Sequence, residues 1–230
     1  MSVRVVSLVP SVTETLLAWG VAPVACTRFC EQPTLRHVGG TKDPDVEAIV
    51  GLAPDVVVMN DEENRREDAD ALAAAGLDLH VVHVTTVADV APELTRLAER
   101  LGVPFEPWVV PEPSPVERRA FVPIWRRPWM TVNRDTYGAS VLAQLGVDTV
   151  FADAPDRYPE VTLEDAAART PDVVLAPSEP YPFRERHVAE LSTVAPVVLV
   201  DGQDLFWWGA RTPAALSRLA ERLEAAYWRQ

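Results

Sequence analysis

One heptapeptide is written twice in this chain, and the repeat limits what it can fold into. Ala53-Pro54-Asp55-Val56-Val57-Val58-Met59 returns as Thr170-Pro171-Asp172-Val173-Val174-Leu175-Ala176. In each copy a Pro-Asp pair closes a helical stretch and opens a run rich in β-branched residues, as expected where a helix gives way to a buried strand. The run Val81-Val82-His83-Val84 has its counterpart at almost the same offset in Val197-Val198-Leu199-Val200. Each copy therefore reads helix, Pro-Asp, apolar strand, acidic loop, helix, apolar strand.

A second pair follows the same order. Val5-Val6-Ser7-Leu8-Val9 leads into a helix ending Leu16-Leu17-Ala18-Trp19-Gly20-Val21, and Met130-Thr131-Val132 leads into one ending Val141-Leu142-Ala143-Gln144-Leu145-Gly146-Val147. Gly20 and Gly146 stand where a helix C-terminus needs a positive φ. Two matches in one order predict two similar α/β lobes, with a cleft between them as the place for function.

The alternation of elements gives the fold class. Strands are predicted near 4–9, 23–27, 55–59 and 79–84, with helices near 11–19, 45–52 and 64–75. The second half gives strands near 120–124, 129–133, 172–176 and 197–200, and helices near 135–145, 162–169, 183–192 and 213–228. Strands alternating with helices make parallel sheets covered on both faces, so the expected fold is α/β with two Rossmann-like lobes. Val90, Leu94, Leu97, Ala98 and Leu101 recur at helical spacing, which predicts a helix over 87–101 that joins the lobes and ends at Gly102. Five prolines between Pro104 and Pro115 make the next stretch an extended connector. The expected divisions are a lobe over 1–86, a connecting helix and linker over 87–118, and a lobe over 119–230.

Charge and composition narrow the function. A net charge of −13 repels phosphate backbones and anionic membranes, so nucleic acid is discounted as a partner. No window has the roughly 18 apolar residues of a membrane-inserted helix. Arg4 and Pro10 interrupt the apolar stretch at the start, no secretion signal is read, and the expected location is the cytoplasm, or outside it if the sequence has been trimmed. Cys26 and Cys30, the two cysteines, are then expected as reduced thiols.

In parallel α/β sheets ligands meet the loops at the carboxyl ends of the strands. Six such loops stand out: Pro10-Ser11, Phe29-Cys30-Glu31, Asn60 to Asn64, Asn133-Arg134-Asp135, Ser178 to Tyr181, and Gln203 to Trp208. Ser11-Val12-Thr13-Glu14 fits a capping box with Ser11 as N-cap, and the same helix N-terminus, with the one after Asn133, suits a ligand carboxylate or phosphate. Phe206-Trp207-Trp208 cannot turn all three rings into one core, so Trp207 or Trp208 is expected to meet a ring-rich ligand. Asp61, Glu62 and Glu63 are read first as solvated charge at a helix start. As an alternative, Asp61, Glu62 or Glu179 would serve an enzyme as acid or base, with Cys30 as a nucleophile. His37, His80, His83 and His187 lack the spacing of a transition-metal cluster, which leaves His37 as a weak candidate for a lone axial ligand.

These loops, in this order, resemble the helical-backbone metal-receptor family, the class III periplasmic-binding-protein-like receptors of bacterial ABC importers for cobalamin, haem and siderophores. The residues that carry the resemblance are Val5 to Glu14 with Gly20 and Pro23-Val24, Val46 to Val50 with Leu52 to Val58, Ala71-Leu72 to Gly76-Leu77, and the repeat at 170–175. The resemblance implies a tetrapyrrole-like or metal-chelate ligand, cobalamin or haem among them, gripped between aromatic loops. By position it implies contacts from Phe29, Thr41, Lys42, Asn60, Asp61, Asn133, Arg134, Tyr181, Phe206, Trp207 and Trp208, to which the loop reading adds Ser11 and Glu179. It further implies that acidic residues, from Glu62, Glu63 and Glu67 on one lobe and Glu179 and Glu185 on the other, dock a transporter. A cytosolic acceptor would be the partner if the chain stays in the cell.

Overall fold

The computed structural model describes residues 3–110 and 112–227. The chain divides into two compact units, each with its own four-stranded parallel sheet.

The first unit holds the described residues up to Val84, Ala88–Val109 and Trp208–Ala210. Its elements are β1 (Val5–Ser7), α1 (Pro10–Ala18), β2 (Ala25–Cys26), α2 (Val46–Gly51), β3 (Val56–Asn60), α3 (Arg66–Ala74), β4 (Leu79–Val82) and α4 (Val87–Leu101), of which Val87 alone groups with the second unit. The strands lie in the order β2-β1-β3-β4. Every residue of β1 and β3 is buried, as a sheet covered on both faces requires. One core cluster gathers Val6, Leu8, Ala25, Val38, Ile49, Val57, Met59 and Leu72. In α4, Val90, Leu94 and Leu97 are fully buried, at the helical spacing read from the sequence.

The second unit contains Thr85–Val87, Val110–Trp207 and the residues from Arg211 onward. It is built of β5 (Arg118–Phe121), β6 (Trp129–Met130), α5 (Tyr137–Gln144), β7 (Val147–Thr149), β8 (Glu160–Val161), α6 (Leu163–Ala168), β9 (Val173–Pro177), α7 (Glu185–Leu191), β10 (Val197–Val200), α8 (Gly202–Phe206) and α9 (Thr212–Tyr227). Read from its β7 edge the sheet runs β7-β5-β9-β10, the same order as β2-β1-β3-β4. Phe121, Phe151, Val174, Ala176, Phe183 and Leu191 lie in one core cluster on this sheet.

The repeat extends below the level of topology. Ala53 and Thr170, which precede the two Pro-Asp pairs, both adopt a positive φ, 45° and 52°. Gly20 and Gly146 end α1 and α5 at φ 75° and 71°. No helix among the described residues is long and apolar enough to cross a membrane.

Two expectations are corrected. The strand predicted over 129–133 shrinks to Trp129–Met130, which pairs antiparallel with β8 outside the main sheet. The partner of β1 in the second unit is therefore β5, and the chain makes an excursion through β6 before α5. Ser11 does not cap α1 either. Val9 is the N-cap without a side-chain bond and Pro10 takes the first turn, where its missing N–H costs nothing. Three short elements, β7, β8 and α8, stand in addition to the predicted ones.

Candidate functional site

At the carboxyl edge of the first sheet, the order of the structure comes from two asparagines. The Asn60 side chain accepts from the backbone N–H groups of Glu62 and Glu63 at 2.9 and 3.0 Å, and its amide lies 3.3 Å from the Val82 carbonyl. The Asn64 carbonyl accepts from the Asn60 backbone N–H at 2.8 Å, while its amide donates to the carbonyls of Leu8 and Thr41 at 3.2 and 2.8 Å. Both asparagines are buried, so their side-chain amides must find partners within the protein, and they find them in backbone groups. Asn60, expected as a ligand contact, is thus the pin of the acidic loop. Thr41 joins the same network through its backbone, and Lys42 beside it is exposed.

That loop presents three carboxylates in three settings. Asp61 is exposed and lies 2.7 Å from Nδ1 of His83. Glu62 and Glu63 are half-buried. Burial, with repulsion from Glu62 and then Cys30, pushes the Glu63 carboxyl up to about 7, against a smaller opposing pull from Lys42.

The loop after β2 supplies a ring and a thiol. Phe29 is 50% exposed, with the Arg28 guanidinium 4.8 Å from its centroid and Arg28 itself paired to Asp43 at 2.9 Å. Cys26 and Cys30 are both free and buried. The hydroxyls of Thr13 and Thr27 lie 3.2 and 3.1 Å from the Cys30 sulfur. Cys26 first, and then the two threonine hydroxyls, outweigh burial and lower the Cys30 thiol below its ordinary value, while Cys26 is pushed up. Ser11 is buried at the start of α1 with no partner for its hydroxyl oxygen. His37 is exposed, its Nε2 lying 3.0 Å from the Gln32 carbonyl. Among the described residues no group of three or more His, Cys, Asp or Glu is placed to hold a metal ion.

In the second unit, Asn133 is buried and structural. It donates to the Ala154 carbonyl at 3.0 Å and accepts from the Asp135 N–H at 2.8 Å. Arg134 is exposed, donates to the Ala152 carbonyl at 3.1 Å and pairs with Asp153. Tyr181 is half-buried among Trp125, Phe183 and His187, with ring centroids 4.8 to 5.7 Å away.

The aromatic triplet separates into three environments. Phe206 is half-buried with its ring against Gly138. Trp208 is 3% exposed and groups with the first unit. Trp207 is half-buried, and its indole N–H donates to Glu179 Oε2 at 3.1 Å. The Glu179 carboxylate, a candidate acid or base by sequence, is thus engaged in holding a ring.

The sequence profile of the periplasmic binding protein family matches residues 5–106. A vitamin B12-binding protein of Yersinia pestis (strain Pestoides F) is 27% identical over 191 residues, covering 75% of this chain and 68% of that one. Among solved structures, the periplasmic vitamin B12 binding protein BtuF of Vibrio cholerae aligns with a TM-score of 0.75 at 19% identity, covering 97% of both chains. The periplasmic heme-binding protein BhuT, in complex with two hemes, aligns with a TM-score of 0.80 at 21% identity over 98% of this chain and 99% of that one. The periplasmic heme-binding protein RhuT of Roseiflexus sp. RS-1 gives 0.79 at 19% identity, over 98% and 99%.

Proposed function

We propose, for a chain that has the class III periplasmic-binding-protein fold and matches that family over residues 5–106, that it is a binding protein for a large planar or metal-chelated small molecule. Corrinoids and haem are the first candidates. The relatives named for vitamin B12 and the structures named for heme support these two chemistries.

The observation that carries the reading is the placement of aromatic rings on the carboxyl-edge loops of both sheets. Phe29 stands half exposed on one, and Tyr181 and Trp207 are half-buried on the other. Stiff, flat side chains give a conjugated ligand contact area at low entropic cost. Binding requires such surface and no nucleophile paired with a base. An ABC importer is the partner that such a receptor would serve, and Glu67 and Glu185 are the exposed ones among the acidic residues that the resemblance implies for docking.

The test is a fluorescence titration of the purified chain with haemin and with cyanocobalamin, since either chromophore quenches nearby indoles. Saturable quenching at micromolar concentration or below by one of the two is the expected result. Should haemin, cyanocobalamin and a ferric siderophore all leave emission unchanged, with no heat in calorimetry, the reading is wrong.

A further inference from the structure

We infer that Glu179 and Arg211 are positioning residues that fix the Trp207 indole, so that Trp207 meets a ligand with its π-surface and not with its N–H. The inference rests on the binding reading above and adds the residues that determine how one ring is presented.

The observations form a closed ring of contacts within the second unit. The indole N–H donates to Glu179 Oε2 at 3.1 Å, and the other carboxylate oxygen lies 3.5 Å from Nε2 of Gln203. Gln203 Oε1 accepts from Arg211 Nη2 at 3.2 Å, and the Arg211 guanidinium sits 5.3 Å from the Trp207 ring centroid. The circuit is anchored on Asp204, which is 4% exposed and pairs with Arg211 at 3.4 Å and with Arg218 at 2.5 Å.

The backbone beneath is equally constrained. A Cβ at Gly202 would lie 2.3 Å from the Glu179 nitrogen, so α8 and the loop after β9 approach as closely as they do because residue 202 has no side chain. The Gly202 backbone N–H donates to Ser178 Oγ at 2.9 Å, and the backbone N–H of Trp207 closes α8 onto the backbone carbonyl of Gln203 at 2.9 Å.

Two consequences follow from this geometry. An indole already bonded at its nitrogen and backed by a cation has few rotamers left to lose when a ligand arrives. Its donor is also occupied, so the ring favours conjugated or apolar ligand surface over hydrogen-bond acceptors.

A double-mutant cycle on the full chain tests this, with Glu179→Ala and Trp207→Phe measured singly and together by haemin and cyanocobalamin titration. Phenylalanine keeps a ring but has no N–H for Glu179 to hold. Glu179→Ala should weaken the ligand that binds by about tenfold in the wild-type background and by less than about twofold beside Trp207→Phe. Arg211→Met should give a smaller loss, again dependent on Trp207. Equal losses in both backgrounds, or none in either, overturn the assignment.

A second readout needs no ligand. The indole 15N–1H resonance that disappears in Trp207→Phe should shift and lose rigidity in its relaxation in Glu179→Ala. If neither ligand binds the wild type, the binding reading fails, and the clamp is then decided by this resonance alone: unchanged in Glu179→Ala, it refutes the clamp.

Discussion

Arg4 and Asp55 are joined by two hydrogen bonds that tie the entry of β1 to the entry of β3. The Arg4 N–H donates to the Asp55 carboxylate at 2.7 Å, and the Asp55 N–H donates to the Arg4 carbonyl at 2.8 Å. Arg119 and Asp172 repeat both bonds at 2.7 and 2.8 Å in the second unit. Asp55→Ala and Asp172→Ala should each lower stability by about 1 kcal/mol, a charge-assisted bond discounted for exposure, and the losses should add because the sites share no partner. Urea denaturation of the two single variants and the double variant checks this. Strong non-additivity would mean that the two anchors are not independent.

The same Pro-Asp pairs explain how much of the fold was legible. An aspartate that accepts from a neighbouring strand, set after a residue at positive φ, is a local device written in adjacent letters, and it occurs twice. The helix over 87–101 was legible from its apolar stripe. β7, β8 and α8 were not, because Asp148, Glu160 and Asp204 stand within them and no apolar run or full helical period marks them. The Ser11 misreading has a different cause: Ser-x-x-Glu has the letters of a capping box, but Pro10 one position earlier already fits the first helical turn.

Glu63 makes the acidic loop sensitive to pH. Its carboxyl is raised to about 7 in the folded chain by burial and by Glu62, against an ordinary value of 4.5, so the native state holds a proton there that the unfolded chain has released. Its contribution to stability is present below pH 4.5 and is lost as pH rises toward 7. Glu63→Gln should therefore match the wild type near pH 4 and exceed it by about 1–2 kcal/mol at pH 8, in chemical denaturation across that range. An advantage that is the same at both pH values would show that the effect is not this titration.

His80 acts in the opposite sense. It is buried on β4 with no partner for Nε2, and burial followed by the nearby Arg96 lowers its pKa below the usual 6.5. Arg100 adds to the lowering, while Glu93 and Asp78 oppose it. The folded state binds a proton there less readily than the unfolded chain. The stability it contributes is present above pH 6.5 and falls away as pH drops toward the folded value. His80→Gln should flatten the acid side of the stability profile relative to the wild type, and a profile with unchanged slope below pH 6.5 would count against the histidine.

The candidate site was legible by place more than by role. Carboxyl-edge loops follow from parallel strands, and Phe29, Asp61, Tyr181 and Trp207 lie on them. What the sequence does not carry is the direction of each side chain. Asn60 and Asn133 have the composition of ligand contacts, yet their oxygens accept from N–H groups two residues on, and their amide nitrogens lie on the Val82 and Ala154 carbonyls, 22 and 21 residues away, which only tertiary packing brings near. The triplet Phe206-Trp207-Trp208 says that its rings diverge, and only the fold decides that Trp208 enters a core while Trp207 stays half-buried. The bond from Trp207 to Glu179 spans 28 residues, beyond any local motif.

Asn64 provides the sharpest stability test, because an isosteric change alters one half of its bonding. Its carbonyl oxygen accepts from the Asn60 N–H, and its amide donates to the carbonyls of Leu8 and Thr41. Asn64→Asp keeps the acceptor and the shape but removes both donors, and it places a carboxylate beside two carbonyl oxygens. At this position, 8% exposed, the loss should be about 2–3 kcal/mol near neutral pH. The loss should shrink as pH falls from neutral toward about pH 4, since a buried carboxyl beside carbonyl oxygens protonates above its ordinary value and again offers a donor. Asn64→Ala should lose a similar amount without that pH dependence. Denaturation midpoints at pH 4 and pH 7 separate the two variants, and identical pH dependence in both would show that the amide donors do not hold the loop.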